Sequence, residues 1–103
     1  MQFAARLHPT GAHVRVEGHT DDVPVSGGRY GSNWELSTAR ASAVVLFLIE
    51  HGALEPARLS AAGYAEHHPR VPNATPEARA RNRRVDLVVV AGDAPAAPED
   101  AEP

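Results

Sequence analysis

The stretch SNWELSTARASAVVLFLIEHG, Ser32 to Gly52, decides how the rest of the chain must fold. Ser32 and Glu35 stand three apart, the spacing at which a hydroxyl and a carboxylate satisfy the free N–H groups of a helix start. Gly52 follows the last periodic residue, where a left-handed turn closes a helix. The spacing predicts a helix over Asn33–His51, with Ala41, Val44, Val45 and Leu48 on one face, directed at a sheet. Leu46, Phe47 and Ile49 widen the apolar surface, so the helix is either covered on a second side or contributes to an interface. Covering by packing is the expectation.

A helix of this kind needs strands to lie on. His13 to Glu17 alternates, with Val14 and Val16 on one face and Arg15 and Glu17 on the other, and Gly18 is expected to end the strand. From Asp22 to Gly31 the chain carries Pro24, Gly27, Gly28 and Gly31, the composition of a loop. Leu59 to Tyr64 reads as a second strand, weakened by Gly63 and the alanines, and Glu66 to Ala74 as a loop with Pro69, Pro72 and Asn73. Thr75 caps a short helix that starts on Pro76, where a missing N–H does no harm. Val85 to Val90 is almost continuously apolar, which predicts a strand buried on both faces. Phe3 to Leu7 resembles the end of a helix whose beginning is absent. Residues 1–92 are expected to form the folded domain, and 93–103 a disordered acidic Pro/Ala tail.

At 103 residues and 43% hydrophobic content the chain is a single small domain. The absence of cysteine excludes disulfides and thiolate metal sites. No apolar run is long enough to span a bilayer, and the N-terminus lacks the apolar segment of a signal peptide. The net charge of -3 reflects the acidic tail, and all ten basic residues are arginine. Arg79, Arg81, Arg83 and Arg84 form the one basic cluster, without interleaved aromatics and with less positive charge than a nucleic-acid surface carries.

The residues able to carry chemistry gather at two places. Asp21 lies just past the first strand, where open α/β sheets place their ligands. Asn33, Ser37 and Arg40 share one face of the long helix. If the loop folds the helix start beside the strand end, a carboxylate, an amide and a guanidinium meet, and a ligand with an ammonium and a carboxylate on one carbon satisfies both charges. The competing arrangement is a plain surface ion pair between Asp21 and Arg40. Asp22 reads as a turn residue. One of Arg83 and Arg84 points toward the same pocket, and periodicity leaves open which. His19, His67 and His68 with Asp21 lack the spacing of a metal motif, and no metal or cofactor is expected. Adjacent acids in a polar loop do not suit glycoside hydrolysis, and no Ser/His/Asp set or phosphate loop is present, so binding is favoured over catalysis.

Taken together, VEGHTDDVPV, SNWELSTARASAVVLFLIEHG and LSAAGYAEHHPRVPNATPEARARNRRVDLVV resemble the OmpA-like peptidoglycan-binding domain, in the version found in flagellar stator proteins. The likeness runs from about Val14 to Val90. It implies an α/β (α+β) fold, a two-layer sandwich in which two or three helices pack a small mixed sheet, with the family's first strand missing. It also implies peptidoglycan as ligand, gripped at a diamino acid of the peptide stem. Asp21 would then hold the ammonium, Arg40 the carboxylate, and Asn33 further hydrogen bonds; Arg83 would close the pocket, and Thr20, Leu36 and Ser37 would line or brace it. A periplasmic location, a stator partner protein in a longer chain, and a possible homodimer through an unpaired sheet edge follow from the same resemblance. The alternative is an assembly module whose pocket is vestigial. Ala65 stands where the family more often has glycine, a change expected to affect only local backbone freedom.

Overall fold

The computed structural model describes residues 12–25, 28–52 and 54–90. Strand β1, His13–His19, lies at the centre of a three-stranded sheet of order β2-β1-β3. It pairs in parallel with β2, Leu59–Gly63, and antiparallel with β3, Arg84–Val90. A parallel neighbour requires a crossover, and helix α1, Asn33–Glu50, supplies it by packing against β1 and β2. A 3₁₀ turn, Pro56–Arg58, leads into β2, and the short helix α2, Pro76–Asn82, leads into β3. The architecture is the expected mixed sheet with helices on it.

Both helices start as their sequences dictate. Ser32 Oγ accepts from the Glu35 N–H at 3.2 Å, while the Glu35 carboxylate reaches back one residue further than expected, to the Gly31 N–H. Thr75 Oγ1 accepts from the Ala78 N–H at 3.0 Å. At the far end of α1 the His51 and Gly52 N–H groups bond the Phe47 and Ile49 carbonyls, and Gly52 takes the left-handed φ of 64° that closes the helix.

The core is where α1 meets the sheet: Val14, Val16, Ala41, Leu48 and Leu54 are buried, with Val44, Val45, Leu59 and Val85 packed against them. Val14 and Val16 are fully enclosed, each contributing about 1.5–3 kcal/mol. The predicted faces of β1 and α1 are therefore the faces observed.

Four expectations need correction. Gly18 does not end β1, which continues to His19. Its lack of a side chain serves the helix instead, because a Cβ there would overlap the Ser37 carbonyl oxygen. The second strand stops at Gly63, one residue short of Tyr64. β3 is not buried on both faces: Leu87 and Val89 are 38% and 45% exposed. They pair with Val16 and Val14, on the α1 side, but α1 lies over β1 and β2 and does not extend across β3. Leu46 and Phe47 are exposed as well, so the second apolar side of α1 is not covered as expected. The proposed helix at Phe3 to Leu7 and the acidic tail lie outside the described residues.

Candidate functional site

Where β1 runs out, the chain turns through Thr20 and Asp21, both buried. The Asp21 carboxylate makes the turn itself, one oxygen accepting the Val23 N–H at 3.0 Å. Its other oxygen accepts from Arg83 Nη1 at 2.7 Å. Thr20 is held from both directions: its N–H donates to the Ala65 carbonyl at 2.9 Å, and its hydroxyl to the Asp21 carbonyl at 2.8 Å.

The start of α1 is stitched to this exit. Asn33 is buried, and its amide donates to the Val23 carbonyl at 3.2 Å and to the Asp21 carbonyl at 3.4 Å. One turn on, the fully buried Ser37 hydroxyl donates to the Trp34 carbonyl at 3.1 Å and accepts the Ala65 N–H at 3.0 Å. The turn after β2 is thereby fixed to the helix. Ala65 has a φ of +54°, a conformation that costs an L-residue about 1–2 kcal/mol and explains why glycine suits this position. Both of its backbone groups are used, so more than local freedom depends on it.

The structure thus brings Thr20, Asp21, Asn33, Ser37 and Arg83 together. It also decides between the paired arginines: Arg83 takes Asp21, while Arg84 turns to Asp86 at 3.0 Å and to the His68 carbonyl at 3.1 Å. The alternative pairing of Asp21 with Arg40 is not formed. Arg40 is exposed, and its side chain has no hydrogen bond or ion pair among the described residues. Helical side chains lean toward the helix N-terminus, so Arg40 leans toward the Asn33 end of α1. Leu36, half-buried, sits in the same two turns. Asp22 is more than a turn residue, since its carboxylate accepts from Arg79 Nε at 3.0 Å.

The fold that carries these residues has known counterparts. The OmpA family matches residues 2–83. The chain belongs to the OmpA family. It is 43% identical over 88 residues to the uncharacterised protein YtxE of Bacillus subtilis, covering 85% of this chain and 36% of the relative. Among solved structures, the C-terminal domain of Helicobacter pylori MotB superposes with a TM-score of 0.80 at 33% identity, covering 95% of this chain and 74% of that one. The cell wall anchor of the type VI secretion system (T6SS) of Pseudomonas aeruginosa gives 0.74 at 39% identity, covering 89% and 63%. The chain spans about a third of the length of the curated relatives it matches. Domains of this family are non-catalytic, and membership supports a peptidoglycan-binding, envelope-anchoring role in general terms. No helix among the described residues is long and apolar enough to cross a membrane.

On the sheet face opposite α1 this OmpA-family domain carries a second polar cluster. The histidines and Asp21 that were weighed for metal binding do not form a group. The structure instead gathers Glu17, His19 and Asp86, Glu17 and Asp86 being directly paired across β1 and β3. His19 Nε2 lies 3.6 Å from Asp86 and 3.9 Å from Glu17, and its buried ring stacks on Tyr64 at 5.3 Å. Neither ring nitrogen is hydrogen-bonded. Burial holds the imidazole pKa below the usual value, and Arg84 adds to the effect against the attraction of Asp86 and Glu17. Separations near 3.6 Å suit ligands of one metal ion, yet Arg15 binds Glu17 at 2.6 Å and Arg84 binds Asp86 at 3.0 Å. With Arg70 Nη2 also 3.5 Å from Asp86, three guanidiniums already surround two carboxylates, so a divalent cation would have to compete with them. The cluster is a closed charge network.

Sequence reasoning missed Asn82. It is fully buried at the end of α2, where its side-chain oxygen accepts the Arg70 and Val71 N–H groups and its amide donates to the Val71 carbonyl and to Asn73 Oδ1. One side chain thus holds the loop before α2 in place and positions Arg83 next to it. The available signal was a loop containing Pro69 and Pro72, whose backbone groups have no ladder of their own and need a side-chain partner.

Proposed function

We propose that this domain binds the peptide stem of peptidoglycan at a diamino-acid residue, without catalysis, anchoring a flagellar stator or another envelope complex to the cell wall from the periplasm. The observation that carries the reading is the pairing at Asp21. The Asp21 side chain is only 11% exposed, yet that of its partner Arg83 is 47% exposed, and Arg40, a second guanidinium in the adjoining helix, has no side-chain partner among the described residues. A zwitterionic group meets both signs here. Its ammonium takes the Asp21 carboxylate, and its carboxylate takes the planar forks of Arg40 and Arg83. Asn33 adds hydrogen-bonding capacity, while Thr20, Leu36 and Ser37 brace the two walls.

The relatives support the setting. One is described as a periplasmic domain of MotB and another as a cell wall anchor. A stator partner protein and a homodimer belong to the same proposal. The test is retention on purified cell-wall sacculi, combined with titration of the free diamino acid against the labelled protein by NMR. Asp21→Ala and Arg40→Ala are each expected to abolish retention with the fold intact, and unchanged retention refutes the reading. Release of soluble fragments from the sacculi would show an enzyme instead.

The second reading, an assembly module, draws on the exposed Leu46, Phe47, Leu87 and Val89. It predicts self-association without retention on sacculi, which sedimentation analysis reads directly.

A further inference from the structure

Trp34 is the residue this site leaves unexplained. It is the one tryptophan of the chain, it stands next to Asn33 in the first turn of α1, and it is 52% exposed. Its indole stacks on the exposed His67 ring at 5.2 Å and 30°, which fixes its plane. The residue also lines two concavities. One is a predominantly apolar groove of about 480 Å³, walled by Tyr30, Trp34, Glu35, Thr38 and Ala39. The other is a more polar hollow of about 290 Å³, reaching Asp22, Ser32 and Asn33. Trp34 therefore joins an apolar platform to the loop and amide of the charged site.

We propose that Trp34, backed by His67 and flanked by Tyr30, is a stacking platform for an N-acetylated amino sugar of the glycan to which the stem is attached. The inference rests on the peptide-stem reading given above and extends that site. A pyranose presents a face of C–H bonds made electropositive by the ring oxygens, and this face meets the negative face of an indole. The apolar groove suits that face and the acetyl methyl, while the Thr38 hydroxyl and the Ser32 rim offer partners to hydroxyls. The spacing also fits. Trp34 and Arg40 are separated along α1 by six residues, a rise of about 9 Å and about 120° around the helix axis, so a stem joining them crosses from one helix face to the next. An extended peptide advances about 3.3–3.6 Å per residue, so a few stem residues cover that length. A stem held at Arg40 and running toward the helix start delivers its sugar to Trp34.

With a single tryptophan, intrinsic fluorescence and the indole Nε1–H resonance report this platform alone. The experiment compares three probes on the full chain: a diamino-acid-containing stem peptide, the same peptide joined to its disaccharide, and an N-acetylglucosamine tetramer. The disaccharide-peptide is expected to bind about 10-fold tighter than the peptide, with an indole shift that the peptide does not produce. Trp34→Ala is expected to erase the difference while leaving peptide affinity unchanged, and Trp34→Phe to keep part of it. Equal affinities with an unmoved indole overturn the platform. If the peptide fails to bind, the charged-site reading falls; the sugar tetramer then decides the platform separately, a shifted indole supporting it and a silent one overturning it.

Discussion

Asp21 and Arg83, 62 residues apart in the chain, meet at 2.7 Å between Oδ2 and Nη1. The contact closes the exit of β1 against the junction of α2 and β3. Because a guanidinium has five N–H donors and this bond uses one, Arg83 can hold Asp21 and still offer donors to an incoming carboxylate. Arg83→Ala is therefore expected to weaken diamino-acid binding about 10-fold, the equivalent of one charge-assisted hydrogen bond. Stability should change by no more than about 1 kcal/mol, since the Arg83 side chain is half exposed and the buried Asp21 carboxylate keeps the Val23 N–H. NMR titration and urea unfolding of the same variant measure the two effects. Tighter binding would mean that Arg83 competes with the ligand instead of helping to hold it.

Arg40 tests geometry against charge. Arg40→Lys keeps the positive charge but loses the planar fork that accepts a carboxylate through two parallel bonds. Its affinity should fall about 10-fold, with the fold unaffected because the Arg40 side chain is exposed and makes no hydrogen bond or ion pair among the described residues. Wild-type affinity in the lysine variant would reduce Arg40 to a point charge.

What the sequence made legible follows from periodicity. The spacing of Asn33, Ser37 and Arg40 placed them on one helix face, and alternation in His13–Glu17 placed Val14 and Val16 inside. Periodicity fails where an element begins or where coverage is decided elsewhere. Arg83 and Arg84 are adjacent at a strand start, and only the α2 geometry shows which one faces Asp21. An apolar run such as Val85–Val90 identifies a strand, but how far a helix extends over it is a property of packing. Gly18 was misread for a similar reason: a glycine that permits close approach looks, in sequence, like one that ends a strand.

The close approach at Gly18 is directly testable. Gly18→Ala places a methyl group against backbone atoms of Ser37, whose side chain is already fixed to Ala65 and Trp34. Neither element can yield cheaply, and a loss of about 1–3 kcal/mol or more is expected. Gly31→Ala is the control, since its Cβ meets only the flexible Glu35 carboxylate at 3.0 Å; its change should stay within about 0.5 kcal/mol. Urea unfolding of both variants gives the comparison, and equal effects would refute the packing argument.

Asn82→Ala removes a side chain that satisfies backbone groups of Arg70 and Val71 from a fully buried position. Leaving those groups unpaired is expected to cost about 2–4 kcal/mol. The fall in melting temperature should far exceed that of Arg83→Ala, although the two residues are adjacent. Calorimetry on both variants separates the staple from the ligand contact.

The buried imidazole gives a pH dependence with a fixed sign. His19 has a folded pKa below its unfolded value of 6.5, because burial disfavours the charged ring and Arg84 repels it. At mildly acidic pH the unfolded chain therefore takes up a proton that the folded chain refuses, and stability must fall with acidification. The contribution is fully present above about pH 6.5 and is lost as pH drops from there through the lowered folded value. The slope from this one group cannot exceed about 1.4 kcal/mol per pH unit. Urea unfolding between about pH 7.5 and 5 should show that slope in the wild type, and His19→Gln should flatten it even though the variant is less stable overall. Parallel stability curves for the two proteins would mean that Glu17 and Asp86 stabilise the protonated ring enough to cancel the cost of its burial.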